Sequence, residues 1–127
     1  MVPDLEPIYA KVGNAISDRL PNEWKVARVE VIYYPENVNY FGEFLHSDNR
    51  IGSFHLGYEL ICSIDDLRQK FRDAGQPVWG SVVFELHADG KFSCKWSYDN
   101  CDENGNRRWD ADEWTRMQNE RSERITM

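Results

Sequence analysis

Apolar residues first recur along the chain with a helical period. Leu5, Ile8, Tyr9, Val12, Ala15 and Ile16 fall at intervals of three and four, with Asp4 as an N-cap and Pro21 closing the segment, which predicts an amphipathic helix. From Trp24 to Tyr34 the period shortens and β-branched and aromatic residues dominate: Val26, Val29, Val31, Ile32, Tyr33 and Tyr34. Pro35-Glu36-Asn37 then supplies a turn before a second extended run from Val38 to His46, so the two runs read as a hairpin. A second turn signal, Ser47-Asp48-Asn49, precedes a shorter extended run from Ile51 to Leu56.

The helical period returns with Ile64, Leu67 and Phe71 on one face. Ser63, Asp65 and Asp66 stand at the start and Gly75 where a C-terminal cap belongs, while Tyr58 to Cys62 fits strand, loop or an earlier helical turn. Trp79 to Asp99 holds two alternating runs around Ala88-Asp89-Gly90. A two-residue Asp-Gly loop would pair His87 with Phe92 and mix polar with apolar faces. A three-residue loop with Gly90 left-handed pairs Leu86 with Phe92, Phe84 with Cys94, Val82 with Trp96 and Gly80 with Tyr98, leaving one face wholly apolar or aromatic. The other face carries Val83, Glu85, His87, Lys91, Ser93 and Lys95, with Glu85 diagonal to Lys95. Trp109 to Arg124 has helical composition with a thin apolar stripe of Trp109, Trp114 and Met117. The order α-β-β-β-α-β-β-α predicts an α+β fold: an antiparallel sheet of about five strands with helices packed on one face. Residues 1–127 are expected to form one domain, with an acidic loop and helix at 100–127.

Composition narrows what such a domain does. A hydrophobic fraction of 41% with 13% aromatics suits a packed core, and the net charge of -7 (pI near 4.9) argues against phosphate binding, because the basic residues form no patch. Residues 1–25 show no basic stretch followed by an apolar one, and no segment reaches the ~18 apolar residues of a membrane helix. Cys62, Cys94 and Cys101 form no CxxC pair and are odd in number, so a reducing, cytoplasmic setting is expected.

Signals for chemistry are weak. Asn100, Asp102, Asn104 and Gly105 place oxygen side chains at alternate positions before a glycine, as in a calcium loop. The twelfth position from Asn100, however, is Ala111 where a bidentate glutamate belongs. His46, His55 and His87 are far apart and have no HxH or HxxxH spacing, and Cys94 is expected to face the core as an inert thiol. No catalytic residue, metal ligand or cofactor is predicted. The richer constellation is acidic and aromatic: Asp99, Asp102, Glu103, Asp110, Asp112 and Glu113 beside Trp109 and Trp114, opposed only by Arg107 and Arg108. A solvated helix start accounts for such a stretch, and so does a docking patch for a basic partner.

Leu20-Pro21-Asn22-Glu23-Trp24, Gly75, Trp79, Phe84, Leu86, Asp89-Gly90-Lys91-Phe92 and Tyr98-Asp99, in this order and spacing, resemble the YezG-like family of bacterial immunity proteins, antitoxins of polymorphic toxins. The resemblance spans roughly residues 5 to 99, and residues 100–127 depart from the expected pattern. It implies a non-enzymatic inhibitor that occludes a cognate toxin delivered between competing cells, a nuclease with a basic surface, with no direct contact to nucleic acid or membrane. The acidic and aromatic residues named above are then the toxin-binding candidates. Two other readings stay open: an acidic nucleic-acid mimic or adaptor on a host nucleic-acid-handling protein, and a small hydrolase.

Overall fold

The computed structural model describes residues 6–125, and the side chains of residues 6–120. The expected cap Asp4 and first apolar position Leu5 lie outside the described residues. Helix α1 (Glu6–Asp18) buries Val12, Ala15 and Ile16, and Ile8 and Tyr9 pack beside them. The chain leaves it through turns that join the Arg19 N–H to the Ile16 carbonyl and the Leu20 N–H to the Ser17 carbonyl. Pro21, which has no N–H to continue such bonds, follows.

Strand β1 (Trp24–Tyr33) is central, flanked by β2 (Val38–His46) and β4 (Ser81–His87). With β3 (Ile51–Ser53) and β5 (Phe92–Ser97) at the edges, the order is β3-β2-β1-β4-β5, and every pairing is antiparallel. Alternation along β1 divides the molecule. Ala27, Val29, Val31 and Tyr33 face the main core with Phe84 and Trp79, while Ile32 and Tyr34 point the other way. Helix α2 (Gly57–Asp73) brings Leu60, Ile64, Leu67 and Phe71 to the first face, in one core with Val12, Ala15 and Ile16 of α1. Each such fully buried apolar side chain contributes about 1.5–3 kcal/mol relative to exposure. Trp79 is the largest of them, ringed by Tyr33, Phe71 and Trp96 at 5.9–6.3 Å.

The α+β architecture and element order match the expectation, and so does the hairpin register. Leu86 pairs with Phe92, Phe84 with Cys94 and Val82 with Trp96, and Gly90 has φ +96°. Four details differ. Strand β3 ends at Ser53, short of Leu56, because Leu56 turns into the main core. Helix α2 begins at Gly57, so Ser63 is not its cap but an interior residue whose hydroxyl donates to the Glu59 carbonyl. Gly80 and Tyr98 do not pair: the ladder ends at Ser81 and Ser97, with the Gly80 N–H bonded to the Ser97 carbonyl. Finally, helix α3 (Ala111–Ile125) packs on the second sheet face, where Met117 and Trp114 meet Ile32, Tyr34 and Phe41. Trp109, expected on its apolar stripe, lies ahead of the helix, so only Trp114 and Met117 of that stripe are on α3.

Candidate functional site

The segment between β5 and α3 is a built structure. Cys101 and Arg107 form an antiparallel bridge, the Asp102 N–H bonds the Asn106 carbonyl at 2.7 Å, and the Gly105 N–H bonds the Asp102 carbonyl at 3.1 Å. Gly105 is left-handed, at φ +83°. The closure repeats that of the β4–β5 turn, where the His87 N–H bonds the Lys91 carbonyl and the Gly90 N–H bonds the His87 carbonyl. The Asn104-Gly105 pair therefore plays the part of Asp89-Gly90, a turn signal that the surrounding polarity obscures.

Polar contacts fasten this small hairpin to the end of the sheet. The Arg107 N–H bonds the Tyr33 carbonyl at 2.7 Å. Arg68, reaching from α2, donates to the carbonyls of Trp79 (3.0 Å) and Gly105 (2.9 Å) and to Asn106 Oδ1 (3.1 Å), and its guanidinium lies 4.1 Å from the centre of the Tyr33 ring. Burial pulls the Arg68 pKa below its ordinary value, with Tyr33 partly offsetting it. Arginine is the residue that stays charged there. Gly80 and Gly105 allow the close approach: a Cβ at Gly80 would lie 2.5 Å from Cys101 Sγ, and one at Gly105 would lie 2.7 Å from the Val78 carbonyl oxygen.

This framework sorts the candidate residues. Asp102 Oδ1 accepts the N–H groups of Asn104 and Asn106, so the oxygen that suggested a cation loop is spent on the turn. Asp110 caps α3, with its carboxylate accepting the Glu113 N–H at 3.0 Å. Glu113 accepts the Arg107 guanidinium at 2.8 Å, the two side chains being only 18% and 12% exposed. Burial works against the Arg107 charge, but the hydrogen bond and charge of Glu113 outweigh it and hold that guanidinium above its ordinary pKa. Arg108 donates to the Cys101 carbonyl at 2.7 Å. Asp99, Glu103 and Asp112 are exposed. Their carboxylates make no hydrogen bond or ion pair among the described residues. The two candidate tryptophans divide in the same way. Trp114 is half-buried against Phe41 and Tyr34, whereas Trp109 is 56% exposed.

The structure adds a neighbour that is remote in sequence. The Pro35-Glu36-Asn37 turn, closed by a bond from the Tyr34 N–H to the Asn37 carbonyl, stands beside Trp109, and together they line a cleft of about 460 Å³. No sequence signal joins the two segments, because the β1–β2 turn and the α3 approach meet only at the end of the folded sheet. At the opposite end of this face, Glu85 engages His87 (2.9 Å) and Arg28 (3.4 Å), and with Val83 opposite Lys95 and Glu85 opposite Ser93 it stands diagonal to Lys95 as expected.

Comparison with known proteins places this region within a family match. Residues 53–118 match the family described as "Immunity protein YezG-like". "Immunity protein YezG" of Bacillus spizizenii is 23% identical to this chain, with 76% of this chain and 70% of that protein covered. The family match takes in the second half of the resemblance, including Trp79, Phe84, Leu86, Asp89-Gly90-Lys91-Phe92 and Tyr98-Asp99, and continues through the small hairpin into α3.

Proposed function

We propose that this chain, which belongs to the YezG-like family of immunity proteins, protects a cell by binding the basic surface of a toxic nuclease in the cytosol and occluding it, with no chemistry of its own. The observation that carries this reading is the division of labour among the acids. Asp102 and Asp110 shape the segment, Glu113 neutralises Arg107, and Asp99, Glu103 and Asp112 are left exposed and unpaired along the same segment as the exposed Trp109. A rigid frame holding unpaired carboxylates and an aromatic anchor attracts a cationic protein quickly and orders little on binding. A nuclease fits as the partner because it must present cations to hold phosphates.

The test begins with tagged protein used to capture its stoichiometric partner from native cells. Reversing Asp99, Glu103 and Asp112 to lysine together should slow association with a captured toxin domain by about tenfold or more at low salt, and the difference should shrink as salt rises. Protection in co-expression should weaken in parallel. An unchanged association rate would remove this surface from the binding site. A captured host nucleic-acid-handling protein without any toxin would overturn the immunity mechanism as stated.

A further inference from the structure

We infer that the cleft between Trp109 and the Pro35-Glu36-Asn37 turn receives an arginine side chain from the protein partner. The inference rests on the docking reading above and names its anchor point. Trp109 is exposed yet fixed. On one side the Arg108 N–H is bonded to the Asn100 carbonyl, and on the other Asp110 caps α3. Its ring lies edge-to-face with buried Tyr34 at 5.2 Å and 5.5 Å from Trp114, so neighbours fix it, and it lines the cleft together with Tyr34 and the turn. Arg68 lies over the Tyr33 ring, and Arg107 and Arg108 are held by Glu113 and by the Cys101 carbonyl.

The rim supplies the opposite charge. Glu36 lines the cleft, is exposed, and makes no ion pair among the described residues. A planar guanidinium can stack on an indole while donating to a carboxylate at its edge, whereas a lysine ammonium offers only a point charge, and an apolar side chain would leave Glu36 facing it without a partner. Preorganised aromatic anchors with a nearby unpaired charge are where interface energy concentrates.

The test uses the whole protein labelled with nitrogen-15, titrated with acetyl-Ala-Arg-Ala-amide and with its neutral citrulline counterpart. The arginine peptide should shift the Trp109 indole and Asn37 amide signals saturably, with a dissociation constant on the order of millimolar, and the citrulline peptide should bind at least about tenfold more weakly. Glu36→Gln should weaken the arginine peptide about threefold. Trp109→Leu should abolish its effect on Asn37 while leaving the buried Trp79 indole signal in place as evidence of an intact fold. Equal binding of both peptides, or no saturable shift with either, would overturn the assignment. A failed titration with protection intact discards only the cleft. Arginine-specific binding in a protein that rescues cells from no toxin discards only the immunity mechanism.

Discussion

The β4–β5 and 101–107 hairpins are closed by the same kind of turn and held by different forces. In the β4–β5 hairpin, Val82, Phe84 and Leu86 pair with Trp96, Cys94 and Phe92 and send their side chains into the main core. In the 101–107 hairpin one isolated bridge replaces the ladder, and backbone bonds, Arg68 and the Arg107–Glu113 pair replace the buried apolar side chains. The first hairpin builds the fold, and its outward residues are incidental. The second has little to bury, so its side chains are free to face a partner, and it holds its shape through directional bonds. Rigidity without a core has a cost: each bond is worth only about 0.5–1.5 kcal/mol net, and leaving a buried partner unsatisfied costs more.

The turn glycines separate the two most sharply. Gly105→Ala places a methyl group in a left-handed residue and drives it toward the Val78 carbonyl oxygen, which a Cβ would approach to 2.7 Å. A loss of about 2–4 kcal/mol is expected in chemical denaturation, from backbone strain plus overpacking. Gly90→Ala meets nothing within 4 Å and should cost only about 1–2 kcal/mol, the price of its positive φ. Equal losses would mean that the second hairpin is as loosely seated as the tip of the first.

What could be read from the sequence follows the same division. Alternation and the Asp89-Gly90 turn were enough to set the β4–β5 register, because a slip by one residue would have exposed Phe84 and Leu86. The order of all eight elements followed from changes of period. The start of α2 was hidden because no side chain caps it. That end is instead held by tertiary contacts, with Leu56 buried and the Arg19 guanidinium donating to the His55 carbonyl at 2.8 Å. The small hairpin was hidden for a related reason: its anchor, Arg68, lies 37 residues from Gly105. Among the candidate site residues, charge alone could not distinguish Asp102 or Glu113, which hold the frame, from Asp99 and Glu103, which do not. The cleft beside Trp109 depended on a turn far away in sequence.

Arg68→Met tests whether the second hairpin depends on its polar anchor. The change keeps much of the apolar stem and leaves the Trp79 and Gly105 carbonyls without their donor, at an expected cost of about 1–3 kcal/mol. Hydrogen exchange should locate the loss. The Gly105 and Arg107 amides, bonded to the Asp102 and Tyr33 carbonyls, should exchange faster, while the β4 amides keep their protection. Uniform acceleration across both hairpins would show that Arg68 supports the whole sheet and that the two are not independent.

The finest distinction comes from two of the three cysteines, one in each hairpin. Burial pushes the Cys94 thiol up to about 12. Burial also raises Cys101, but a backbone hydrogen bond from Gly80 and the charges of Arg107 and Arg68 work in the opposite direction. Only the thiolate alkylates readily, so in mildly alkaline buffer iodoacetamide should modify Cys101 before Cys94. The stability consequence has a definite sign. A thiol whose folded pKa exceeds its ordinary value of 9.0 contributes fully below that pH, and its contribution is lost as the unfolded chain ionises first. Between pH 9.0 and about 12 the wild type should therefore lose on the order of 1 kcal/mol per pH unit through Cys94. Cys94→Ala should start less stable, because a packed sulfur is gone, yet decline more gently over that range, retaining only the loss from groups such as Tyr33, whose phenol is likewise raised by burial and by its bond to Asp65. Parallel decline in the two proteins would show that Cys94 is not enclosed by the apolar face, and with it would go the claim that the first hairpin is held by burial.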